Sequence, residues 1–129
     1  MIAGIISLFT FIACNNDDND IDAETVLVGE WDGEYSFQSG PFNNFLSFDF
    51  KPGGVLDQLD QAGLKIGEGT WEFSNADTLI LGTYILLPPV SDTFSFIANF
   101  EKEEENINGT WGYGQQQYAG GYFRIDKEN

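Results

Sequence analysis

From residue 28 onward, apolar and polar residues alternate along the chain in runs broken by clusters of Gly, Asn, Asp and Pro. Successive side chains of an extended chain point to opposite sides, so period two marks a strand with one buried face. The pattern predicts eight strands, at 28–38, 45–50, 55–59, 65–74, 78–87, 93–102, 106–113 and 118–127. No segment from Thr25 on carries a helical period. In the first strand Trp31, Gly33, Tyr35 and Phe37 share one face, and Glu30, Asp32, Glu34 and Ser36 share the other. Leu46, Phe48 and Phe50 oppose Ser47 and Asp49 in the second. In the fourth, Trp71 and Phe73 oppose Glu68, Thr70 and Glu72. The sixth sets Phe94, Phe96, Ala98 and Phe100 against Thr93, Ser95, Asn99 and Glu101. The seventh sets Ile107, Trp111 and Tyr113 against Asn108 and Thr110. The fifth is apolar on both sides, which predicts cover from outside by the N-terminal tether or by a partner.

The breaks carry turn chemistry: Lys51-Pro52-Gly53-Gly54, Asn75-Ala76-Asp77, Pro88-Pro89, Glu103-Glu104-Glu105-Asn106 and Gly114-Gln115-Gln116-Gln117. Short links between successive strands imply an antiparallel meander. An open meander leaves two edges of unpaired backbone groups, and closure removes both. The expected fold is therefore all-β, an eight-stranded antiparallel up-and-down β-barrel. A two-sheet antiparallel β-sandwich has the same alternation and is the alternative.

The N-terminal stretch follows another rule. Ile2 to Ile12 is apolar, as long as the core of a signal peptide and too short to span a bilayer. Ala13 precedes the only cysteine, Cys14, and the polar run Asn15, Asn16, Asp17, Asp18, Asn19, Asp20 comes next. Phe11-Ile12-Ala13-Cys14 resembles a bacterial lipobox. The resemblance implies that Cys14 becomes the first residue of the mature protein and carries a thioether-linked diacylglycerol, two or three acyl chains holding it to a membrane. The acidic run resembles the surface-export signal of Bacteroidetes lipoproteins, which implies the outer face of a Gram-negative outer membrane. The chain then divides into a signal peptide (1–13), an acidic tether (14–24) and a barrel domain (25–129). Asp18, Asp20 and Asp22 are spaced as in a calcium loop, but Ala23 replaces its turn Gly and Gly29 its closing Glu, so no metal is expected.

Composition narrows the chemistry. Five Lys and Arg face 21 Asp and Glu, giving a formal charge of −16. Such a chain does not bind nucleic acid, which demands a basic face. With no His and one Cys there is no Ser-His-Asp triad, no Cys-His pair and no His-ligated zinc. A glycosidase needs a carboxyl with a raised pKa in a cleft, whereas Asp49, Glu68, Glu72 and Glu101 fall on the outer face. No catalysis and no cofactor are expected. Charge of this size favours a monomer.

Trp31, Trp71 and Trp111 each follow a glycine two residues earlier, in Gly29-Glu30-Trp31, Gly69-Thr70-Trp71 and Gly109-Thr110-Trp111. Glycine there lies on the face of the indole and makes room for it. With a first strand carrying Gly-x-Trp and a last strand carrying Arg124, the chain resembles the calycins: lipocalins, fatty-acid-binding proteins and their small bacterial lipocalin-like relatives. The resemblance implies that Arg124 covers Trp31 and closes one end of the barrel. It also implies a carrier for a small hydrophobic molecule, with Tyr35, Phe48, Trp71, Phe73, Phe96, Trp111 and Tyr113 as candidate pocket lining. Gly33, Gly67, Gly69, Gly82 and Gly109 leave space inside, while the many Phe residues fill it. The alternative is a solid barrel that binds a protein or glycan partner at the cell surface.

Overall fold

The computed structural model describes residues 22–128. The lipobox, Cys14 and the acidic run to Asp20 lie outside the described residues. A short helix, α1 (Ala23–Leu27), leads into eight strands: β1 (Gly29–Phe37), β2 (Asn44–Lys51), β3 (Val55–Leu59), β4 (Lys65–Ser74), β5 (Leu79–Leu86), β6 (Thr93–Glu101), β7 (Asn106–Tyr113) and β8 (Gly121–Lys127). Each strand pairs antiparallel with the next, and β8 returns to pair with β1, so the sheet is one closed ring. The closing register sets Trp31 beside Lys127 and Phe37 beside Gly121. An eight-stranded antiparallel up-and-down barrel is thus the observed fold, consistent with a lipocalin-like architecture, and the sandwich is excluded.

Strand limits follow the alternation to within a residue or two except at β8, which starts at Gly121 rather than 118. There the chain folds back on β7: Gly120 N–H donates to the Trp111 carbonyl at 2.9 Å and the Thr110 hydroxyl to the Gln117 carbonyl at 2.7 Å. Helix α1 has no counterpart in the sequence pattern, because one turn is too short to show a period. Tertiary contacts hold it. Ala23 and Leu27 are buried in the core, and the Gly53 N–H donates to the Glu24 carboxylate at 3.3 Å. Ala23 and Glu24, read from sequence as tether, are therefore part of the packed domain.

An up-and-down barrel has two ends. The connections 38–43, 60–64, 87–92 and 114–120 lie at one end, and the shorter 52–54, 75–78 and 102–105 lie at the other with α1. The α1 end is packed shut. Trp31, fully buried, meets Phe50 and Phe100 edge-on at centroid distances of 6.4 and 6.1 Å, and Ile80, Ile107 and Leu27 complete this half of the core. On the outside, Asp57 is buried between Lys51 (2.7 Å) and Lys65 (3.5 Å). Outside β5, Leu81 pairs with Ile97 and Ile85 is exposed.

The strand glycines do not leave voids. A Cβ on Gly33 would stand 2.0 Å from the Arg124 carbonyl oxygen, and one on Gly69 1.9 Å from that of Thr83. The missing side chains let neighbouring backbones cross closely, which a barrel this small requires. The place of a Gly82 side chain is taken by the Phe96 ring, 2.4 Å from an added Cβ.

Candidate ligand pocket

The long-loop end stays open. Here the inward side chains enclose a cavity of about 280 Å³. Its floor and walls come from alternate positions of seven strands: Tyr35 and Phe37 of β1, Leu46 and Phe48 of β2, Gln58 of β3, Tyr84 and Leu86 of β5. Phe94 and Phe96 of β6, Trp111 and Tyr113 of β7, and Phe123 of β8 complete it, and Asp92 stands in the loop before β6. At this level β4 offers only Gly67 and Gly69 on the inner face.

The aromatic rings interlock. Phe48 stacks on Phe96 at 5.2 Å and Tyr84 on Phe94 at 5.5 Å. Trp111 meets Tyr35 edge-on at 5.7 Å and Phe94 at 6.0 Å, and its indole N–H donates to the Ser36 carbonyl at 3.1 Å. These contacts brace the wall side chains against one another, which preorganises the space. Rim residues Phe37 and Tyr113 are about half exposed.

Few polar groups line the cavity: Gln58 and the phenols of Tyr35, Tyr84 and Tyr113, with the acid Asp92 at the mouth. The Gln58 side-chain oxygen is buried and has no hydrogen-bond partner. Burial, reinforced by nearby Tyr35, raises the pKa of the Tyr84 phenol, so it stays protonated and neutral. None of the five Lys and Arg residues lines the cavity.

Of the residues expected to line a pocket, Tyr35, Phe48, Phe96, Trp111 and Tyr113 do so. Trp71 and Phe73 do not. β4 runs toward the closed end, so its last residues pack there: the Trp71 indole donates to the Lys51 carbonyl at 3.0 Å, and Phe73 lies 5.7 Å from Phe100. Sequence reasoning missed Gln58 and Tyr84. Their signal was parity, since Gln58 shares a strand face with Leu56 and Tyr84 shares one with Ile80 and Gly82.

The Trp31–Arg124 closure does not form. Arg124 points outward, its guanidinium 4.2 Å from the Phe42 ring centroid and 3.7 Å from the Glu34 carboxylate. Lys127 takes the expected place, its ammonium 5.8 Å from the Trp31 ring centroid. That ammonium donates to the Val26 carbonyl and, at 2.9 Å, to the Val28 carbonyl, where α1 leaves acceptors free. Trp31 itself donates to the Leu27 carbonyl at 2.8 Å. The reason is again parity: Phe123, Ile125 and Lys127 face inward, so Arg124 must face out.

The outer surface carries an open groove of about 920 Å³ along β1, β8 and β7, with Phe42, Phe45, Tyr122, Arg124, Asn106 and Asn108 among its lining. At one end of it the Glu128 carboxyl is pushed up by hydrogen bonding and charge from Asp32. Asp49 is also raised, chiefly by burial against Lys51's opposing pull. Among the described residues no cluster of His, Cys, Asp and Glu could hold a metal ion, and no helix is long and apolar enough to cross a membrane. No protein-family model, curated protein or solved structure matches the chain.

Proposed function

We propose that the protein is a lipid-anchored, lipocalin-like binding protein that holds a small hydrophobic molecule in its barrel and performs no chemistry on it. The observation that carries this reading is the preformed cavity of about 280 Å³, walled by aromatic side chains and reached from one end. Ligand pockets start at roughly 300 Å³, so the occupant is compact. Apolar walls with one acid, Asp92, at the mouth suit holding a molecule and offer no acid–base or nucleophile pair for attacking it.

The anchor is Cys14, and the setting is the outer face of an outer membrane. The lipobox-like Phe11-Ile12-Ala13-Cys14 and the acidic residues after it support this. Helix α1, near the start of the described residues, packs at the closed end of the barrel, opposite the mouth.

Titration with prodan, an uncharged naphthalene ketone whose emission shifts blue in apolar surroundings, tests the pocket. Saturable binding is expected, with loss in Leu46→Trp, which fills the interior, or in Leu86→Trp, nearer the mouth. Binding that persists unchanged in both folded variants would place the probe elsewhere. Cys14→Ala should release the protein from membranes, and a variant that stays membrane-bound would refute lipidation.

The outer groove supports a second reading, an interaction module for a glycan or protein. Tyr122 lines it and is exposed, and exposed Tyr118 lies in the connection before β8. Tyr122→Ala should then abolish partner capture and leave prodan binding intact.

A further inference from the structure

We propose that the barrel pocket accepts a small organic ammonium, an apolar amine of arylalkyl type, and rejects carboxylic acids; this rests on the pocket reading above. Three features of the cavity point the same way. Gln58 lines it, and the oxygen of that side chain, packed into the wall, is an acceptor with no donor; a turn of the amide presents it to an ammonium, which brings three donors. Its walls present the Trp111 ring with Tyr35 and Phe94 each within about 6 Å of it, and aromatic faces attract a desolvated cation. No Lys or Arg lines the space, so a carboxylate entering it would lose its water and gain no counter-charge.

The surroundings reinforce the sign. Asp92 stands beside the mouth, and the chain's formal charge of −16 draws cations and repels anions. Tyr84 remains a neutral phenol, able to accept one hydrogen bond from the ligand. The aryl-bearing tail then lies against the cavity lining to which Phe48, Phe96 and Phe123 contribute.

The test is displacement of bound prodan, which has no N–H or O–H donor, by 4-phenylbutylamine, 4-phenylbutanol and 4-phenylbutyrate at neutral pH. The expected order is amine, then alcohol, then acid, with the amine about tenfold or more tighter than the acid. The measurement is repeated at high salt, where attraction to the whole chain is screened. An amine preference that disappears there belongs to the net charge and overturns the pocket assignment.

Gln58→Leu should weaken the amine roughly tenfold relative to prodan measured in the same variant; Gln58→Met serves if the Leu variant fails to fold. An acid that binds as tightly as the amine, or an amine indifferent to Gln58, overturns the inference while prodan binding keeps the cavity reading intact. If prodan does not bind at any concentration, the cavity reading falls and takes the inference with it.

Discussion

Replacing Gln58 by Leu should make the ligand-free barrel more stable. The Gln58 oxygen is buried on the inner face of β3, beside Gly67 of β4 and Phe48 of β2, with no donor in reach. A buried acceptor left without a partner costs about 1–3 kcal/mol. Leu has a similar volume, carries no polar atom and matches the walls around it. It removes that cost and adds a little apolar burial, for a net gain of about 1–2 kcal/mol. In a domain near this size each kcal/mol moves the midpoint by roughly 4–8 °C. Thermal unfolding followed by far-ultraviolet circular dichroism, with urea midpoints as a check, reads the difference directly. Gln58→Ala is the control: it removes the same oxygen but enlarges the cavity, so its gain should be smaller or reversed. An unchanged or lower midpoint for Gln58→Leu would mean that the oxygen is satisfied in solution. The unpaired acceptor invoked for ligand selection would then not exist. A gain, by contrast, would show a binding group kept at the expense of stability.

Other outcomes follow from the closed end, the strand crossings and the carboxyls. Lys127→Met, which removes the donor to the Val26 and Val28 carbonyls, should cost about 1–3 kcal/mol. Arg124→Met should stay within about 0.5 kcal/mol, because its ion pair is exposed; equal losses in urea unfolding would contradict the assignment of Lys127 as the cap. Gly69→Ala, whose Cβ would overlap the Thr83 carbonyl, should lose about 2–3 kcal/mol or more. Gly63→Ala, in open space at φ +85°, should lose only about 1 kcal/mol, and the reverse ranking would refute the close crossing. Asp49 and Glu128 have raised pKa values in the folded state, so folding takes up protons there. Their contribution is full below the unfolded carboxylate range and lost as pH rises through the raised values. The melting temperature should therefore climb as pH falls through the raised values toward the ordinary carboxylate range, and less so in Asp49→Asn. A midpoint that falls steadily over that interval would contradict the direction.

Much of the fold was legible because its causes are local. Period two in the strand Trp31-Asp32-Gly33-Glu34-Tyr35 states which side is buried whatever lies across from it. Turn residues such as Pro52-Gly53-Gly54 end one strand and start the next without reference to the rest of the chain. The same parity also contained two answers that went unread. Arg124 sits between Phe123 and Ile125, so it could not face the interior, and Lys127 could. Gln58 shares a face with Leu56, so it was an inward polar group from the outset. Helix α1 was not legible, since five residues carry no period and Leu27 is helical because the open floor of the barrel needs a lid.

What the sequence determined by itself, then, is the number of strands, their facing, and the exclusion of the strand acids from the interior. Alternation and turn chemistry act over a few residues and do not depend on long-range register. The tertiary structure alone decided that the barrel has a shut end and an open one, and which inward residues belong to each. Trp71 and Trp111 share a motif and a facing, yet one packs against the Lys51 turn and the other walls the cavity. Their fates differ because position along the barrel axis comes from the register of all eight strands. An empty volume is what remains after every strand has placed its side chains, so it cannot be read from any one of them.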